Sequence, residues 1–125
     1  TSHAVDISKP FICPDISPNT IRVDSGKLKI GASTYYMSHE NLSSIDWLTN
    51  SEFISDDRKN IIYIMQNQQS GNIDVSYMKL SKTIDSITPG IDMDKFKVIE
   101  KVSYDIGREK PSYLKGNNLG CKNLK

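Results

Sequence analysis

Asn60-Ile61-Ile62-Tyr63-Ile64-Met65-Gln66, then a polar link from Asn67 to Asn72, then Ile73-Asp74-Val75-Ser76-Tyr77-Met78-Lys79-Leu80, read as the two arms of a β-hairpin. The first arm is apolar without interruption from Ile61 to Met65, so both of its faces should be covered. The second arm alternates, with Ile73, Val75 and Tyr77 on one side and Asp74 and Ser76 on the other. Its phase slips at Met78 and Leu80, which predicts a bulge or a change of cover. Ser70-Gly71-Asn72 supplies the turn chemistry between the arms.

Upstream, Ile21 with Val23, and Leu28 with Ile30, alternate in the same way, joined by Asp24-Ser25-Gly26-Lys27. Serine tolerates positive φ poorly, so a type I turn closed by a Gly26 bulge is expected there rather than type I′. Gly31 marks a bend or a close backbone approach before Ala32 to Met37. Of Tyr35 and Tyr36 only one can face a core. Pro10, Pro14 and Pro18 keep Phe11-Ile12-Cys13 and its surroundings extended. Thr1 to Lys9 lack any pattern and are expected to form a flexible N-terminal arm.

Two segments read less simply. Ser38 to Asp57 holds Glu40, Asp46, Glu52, Asp56 and Asp57 and no lysine or arginine. Ser43 or Ser44 could cap a short helix there carrying Ile45, Trp47 and Leu48, ended by Asn50-Ser51. Asp92 to Asp105 fits a strand through Phe96, Val98, Val102 and Tyr104, or a helix through Phe96, Ile99 and Ser103; the β-branched and aromatic content favours the strand. Pro89-Gly90 is a turn before it, and the tail from Gly107 is coil that Cys121 could pin. The fold expected is mainly β, an antiparallel sandwich or partly open barrel of about six strands with one short helix. The alternative is α+β, with a helix near 92–104.

The chain has 125 residues, which fits one domain over 1–125. A net charge of +1 gives no global field for nucleic acid. No apolar run approaches the roughly 20 residues of a membrane helix. Cys13 and Cys121 belong to no C-x-x-C or Cys/His cluster of the kind that holds zinc. They are expected to form a disulfide, and therefore to place the protein in the periplasm or outside the cell. Ser2-His3-Ala4 has the small-residue spacing of a signal-peptidase site. Asn41-Leu42-Ser43 matches a glycosylation sequon.

No motif carries catalysis. There is no G-x-S-x-G, P-loop or G-x-G-x-x-G, and Asp56-Asp57 and Asp92-Met93-Asp94 lack a calcium-loop spacing. No cofactor or metal is expected. The candidate binding residues are the hairpin-end amides Gln66, Asn67, Gln68 and Gln69 together with Trp47 and Tyr36, although core packing competes for both aromatics. Polar loops on a rigid sheet are common carriers of function. Acids concentrated in 38–57, against bases in Arg108, Lys110, Lys115, Lys122 and Lys125, add a charged recognition face. The expected function is a small exported, non-catalytic protein-binding domain: an inhibitor, an immunity-type protein or an envelope-assembly factor with a protein partner. The alternatives are a small secreted hydrolase using His39, or a structural subunit joined by strand addition.

Overall fold

The computed structural model describes residues 5–69, 73–85, 91–105 and 121–124. The turn signals at Ser70-Gly71-Asn72 and Pro89-Gly90, the tail up to Gly120 and the Ser2-His3-Ala4 pattern lie outside them. Among the described residues nine strands are present: β1 Phe11–Cys13, β2 Ser17–Asp24, β3 Lys27–Ile30, β4 Ser33–His39, β5 Leu48–Ser55, β6 Asn60–Asn67, β7 Ile73–Leu80, β8 Val98–Asp105 and β9 Lys122–Asn123. They form one antiparallel sheet in the order β8-β7-β6-β5-β4-β3-β2-β1-β9. The sheet curls into a half-barrel, as the partly open barrel reading requires. The central hairpin pairs Ile62 with Tyr77 and Ile64 with Val75.

Alternation decides which face is which. Phe11, Ile21, Leu28, Tyr35, Phe53, Ile62, Val75 and Val102 come from seven neighbouring strands and β8, and meet in one buried cluster inside the curl. The residues between them point to the outer face. That face is covered at one end by a second cluster, in which Ile54, Ile61, Leu80 and Ile84 pack with Ile91, Met93 and Phe96. The connection from β7 to β8 therefore folds back over the outside of the sheet. This is why the first hairpin arm is apolar throughout: Ile62 and Ile64 fill the inner core while Ile61 fills the outer cluster. It also explains the slip in β7, where Leu80 serves the outer cluster. The β7–β8 pairing shifts register there, between Lys79 and Leu80.

The disulfide joins Cys13 to Cys121, 108 residues apart. It brings the late chain back to the first strand, where β9 pairs Asn123 with Phe11. Within the expected N-terminal arm, Val5 is 4% exposed and belongs to the inner core. The Asp6 N–H donates to Asn123 Oδ1 at 2.9 Å. Tyr35 is 6% exposed and Tyr36 46%, so one tyrosine faces the core and its neighbour faces out.

Three local expectations change. The Asp24–Lys27 connection has two central residues, and both have positive φ, 45° at Ser25 and 83° at Gly26. It is the primed kind of turn, whose twist matches the flanking strands. The Ser25 hydroxyl donates to Asp24 Oδ1 at 3.2 Å. Second, residues 43–48 form no helix. Ser43 and Asn41 use their side chains on nearby backbone amides, which competes with helix formation, and Leu48 already begins β5. Among the described residues the helical element is a single 3-10 turn, Met93–Lys95, capped by Asp92, whose carboxylate accepts from the Asp94 N–H. Third, the described residues hold nine strands rather than about six, because the chain breaks at Gly31 into β3 and β4, the Ser38–Asp57 excursion itself contributes β5, and the segment after Cys121 adds β9. The strand reading of Asp92 to Asp105 holds from Val98 onward, with Val102 buried and Ile99 exposed, whereas Phe96 precedes the strand at the end of the 3-10 turn and packs on the outer cluster.

Candidate functional site

The segment after β4 leaves the sheet at Glu40 and returns at Leu48. Its backbone is held from within. Asn41 Oδ1 accepts from the Ser43 N–H and the Asn50 N–H, each at 3.0 Å. The Leu42 N–H donates to the Asn50 carbonyl at 2.8 Å, and the Ser51 hydroxyl donates to the Glu40 carbonyl. The loop ends in a turn in which the Leu48 N–H donates to the Ile45 carbonyl at 3.1 Å. This turn displays two large apolar side chains, Ile45 at 44% and Trp47 at 40% exposure, with exposed Asp46 between them.

The hairpin end lies beside that turn. Leu48 is the cross-strand partner of Asn67 and Thr49 of Gln66. The Gln68 N–H donates to the Trp47 carbonyl at 2.7 Å. Gln68 and Gln69 are exposed, and the Gln69 N–H donates to Asn67 Oδ1 at 2.9 Å. Five of the six candidate binding residues, Trp47 and Gln66 to Gln69, are therefore gathered at one end of the sheet. Tyr36 is not among them. It pairs with Ile54, six residues along β5 from Leu48, which is roughly 20 Å at about 3.3 Å per residue. There it stands under the Lys27 ammonium, 5.7 Å from the ring centre, and lines a notch with Ile54 and Arg58.

A second constellation sits at the root of the same loop. Met37 pairs with Phe53 but His39 pairs with Glu52, so Ser38 is an extra residue in β4. A bulge of this kind turns two consecutive side chains to one side. Both converge on Glu52, which is 0% exposed. The Ser38 hydroxyl donates to Glu52 Oε1 at 2.6 Å, and His39 Nδ1 lies 3.3 Å from the same oxygen. The buried Asn50 Oδ1, on the same outer face, has no hydrogen-bond partner among the described residues. Tyr63, directly across from Glu52, has its phenol pushed up in pKa, first by burial, then by the hydrogen bond it donates to the Glu52 side chain and by that carboxylate's charge. Tying Nδ1 to a carboxylate orients the imidazole and leaves Nε2 for other partners. The pair is thus half of a general-base arrangement, but no serine, threonine or cysteine side chain is bonded to the ring among the described residues.

Among the described residues no group of three or more His, Cys, Asp and Glu could hold a metal ion. No helix there is long and apolar enough to cross a membrane. No protein-family model matches the chain, no curated protein matches its sequence, and no solved structure matches its fold.

The sequence reading missed Ile45 as an exposed side chain, because it was assigned to a helix face. It also missed Asn41 as a clasp and Glu52 as a buried acid. The bulge that creates the Glu52 cluster leaves no mark in hydrophobic period. Asn41 two residues before Ser43 was a usable signal, since Asx side chains bond the amide two residues on.

Proposed function

We propose that this chain is a small exported, non-catalytic protein-binding domain, of the inhibitor, immunity or envelope-assembly kind, acting from the periplasm or outside the cell. The observation that carries the reading is the Ile45-Asp46-Trp47 turn. Two large apolar side chains are exposed together on a backbone fixed by internal hydrogen bonds and tethered to the amide-rich hairpin end. Tryptophan is enriched among the residues that dominate interface energy. A turn already fixed in place loses less conformational entropy on binding. The Cys13–Cys121 disulfide fits an oxidising compartment.

The test is capture from an envelope or extracellular fraction with wild-type and Trp47→Ala baits. The expected result is one dominant protein held by wild type and lost with Trp47→Ala. Equal capture by both baits, or none by either, would end the reading.

A hydrolase centred on His39 is the second reading, favoured by the Glu52 carboxylate at 3.3 Å from Nδ1. It predicts a turnover abolished by His39→Ala. Strand addition is the third, favoured by exposed Val98 and Ile99 on β8, which pairs only with β7 among the described residues. It predicts concentration-dependent assembly.

A further inference from the structure

At the end of the sheet away from the Trp47 turn, the curl opens in a cavity of about 290 Å³. Asn60 on its rim and Asn67 beside the turn are the two ends of β6, roughly 23 Å apart at about 3.3 Å per residue. The lining draws on β2, β3 and β4 on one side and on β6 and β7 on the other. In the sheet β5 separates β4 from β6, so these side chains meet across the inside of the curl. The cavity is the mouth of the half-barrel, a usual place for a small-molecule site. We propose that this mouth binds one residue of a neutral sugar. The site is separate from the protein-binding surface and does not rest on it.

Three observations converge. The first is a buried phenol on the cavity floor. Ile30, Tyr35 and Tyr77 end the inner core there. Tyr35 is 6% exposed, and its hydroxyl donates to no described residue. A buried hydroxyl gains from a ligand that bonds it. The second is the mixture of donors and acceptors around it. The Tyr77 hydroxyl donates to Asn60 Oδ1 at 2.8 Å, which leaves the phenol oxygen to accept. Ser17 Oγ accepts from the Asn19 N–H at 3.1 Å, which leaves its proton to donate. The Asn19 amide and the Ser33 hydroxyl complete the rim. A sugar hydroxyl both donates and accepts, and matches that mixture.

The third is charge. Lys79 is the cation among the described lining residues, and no carboxylate lines the cavity with it. Its cross-strand partner is Glu100. The Asp57 charge acts on both phenols, and the Glu100 charge on Tyr77. A cationic ligand would meet Lys79 and an anionic one would meet the field of the two acids, whereas a neutral ligand meets neither penalty. Size sets the last limit. The volume lies at the small end of the roughly 300–1,000 Å³ of ligand sites, which suits a single ring.

The probes are the methyl glycosides of glucose, galactose, mannose and N-acetylglucosamine, titrated into the full chain while isotope-labelled tyrosine rings are followed by NMR. At least one is expected to move the Tyr35 and Tyr77 signals to saturation. The free sugars form a second arm. Binding of the glycoside marks the site as a reader of chain-end residues, and binding of the free sugar alone marks it as a site for a solute. Glucuronate and glucosamine, the charged counterparts, are expected to bind more weakly than the neutral sugars. Tyr35→Phe keeps the ring in the core and is expected to weaken binding by about threefold to tenfold, the scale of one neutral hydrogen bond. Ser33→Ala, an exposed change, is expected to weaken it in the same direction. Trp47→Ala is expected to leave it unchanged. Unmoved tyrosine signals with all four sugars, equal binding of the charged counterparts, or indifference to both Tyr35→Phe and Ser33→Ala would overturn the site. Loss of sugar binding in Trp47→Ala would move the sugar to the other end of the sheet and overturn it as well.

Discussion

The Gln68 N–H donates to the Trp47 carbonyl oxygen at 2.7 Å. That bond joins two loops that are 21 residues apart in sequence and makes one surface of them. The excursion supplies the apolar contact and the hairpin end supplies amides that donate and accept. Neither loop alone has both.

Because Asn41 Oδ1 holds both ends of the excursion, Asn41→Ala should cost about 1–2 kcal/mol, the scale of one or two lost hydrogen bonds. Asn41→Asp keeps the acceptor and should cost less than half of that. Urea denaturation gives the energies. Faster amide exchange at Ser43 and Asn50 in Asn41→Ala alone would locate the effect.

Gly31 has φ +56°, and a Cβ there would stand 2.8 Å from Asn19 Nδ2. Gly26 has φ +83° with nothing near it. Gly26→Ala should therefore carry only the backbone penalty of about 1–2 kcal/mol. Gly31→Ala should exceed it, since Asn19 must also move. Equal melting-point losses in the two variants would show that the close approach is immaterial.

Asp57 accepts from the Ser55 hydroxyl at 2.6 Å, the Lys59 N–H at 3.0 Å and the Asn60 side chain at 3.3 Å, closing the β5–β6 turn. The Ser55 bond, then the Lys59 amide, hold its carboxyl below the usual 3.8. A depressed carboxyl stabilises the fold above its unfolded pKa and loses that contribution as pH falls through the folded one. Wild type should lose stability below about pH 4 relative to Asp57→Asn, with the difference largest near neutrality. Parallel curves in urea from about pH 7 to pH 2 would contradict this.

At the alkaline end the sign reverses. Tyr35, Tyr63 and Tyr77 are all pushed up, each chiefly by burial. A phenol raised in the folded state stabilises it below the unfolded pKa of about 10, and the contribution fades as pH rises beyond that. Ultraviolet titration should show these three of the six tyrosines ionising only as the chain unfolds. Phe substitution at Tyr63 should reduce the alkaline loss.

The disulfide closes a loop between residues 108 apart, so the reduced chain, or Cys13→Ala with Cys121→Ala, should be less stable by roughly 2–5 kcal/mol. The loss should first expose amides of β1 and β9, which the bond holds together.

The architecture was legible where side-chain period and burial coincide. Ile21, Leu28, Ile62 and Val75 alternate because a curled sheet has one dry face, and Ile61 breaks the alternation because the β7–β8 connection covers the other. The Tyr35–Tyr36 choice followed from the pleat alone. What could not be read was two-body geometry. Ser25 enters positive φ because its turn joins only two residues, a constraint set by strand pairing. Trp47 is outside because Asn41 and Ser43 bond backbone that a helix would need. Ser38 and His39 meet Glu52 through a bulge, which carries no composition signal. The amides of Gln66 to Gln69 and Trp47 were identified separately, and only the β5–β6 register puts them together.

The most direct test of the shared surface is site-specific photo-crosslinking in an envelope or extracellular fraction, with the reactive side chain placed in turn at positions 45, 68 and 99. The account expects the same partner to be trapped from 45 and 68, and not from 99 on the β8 edge. Trapping from 99 alone, or different proteins from 45 and 68, would contradict it.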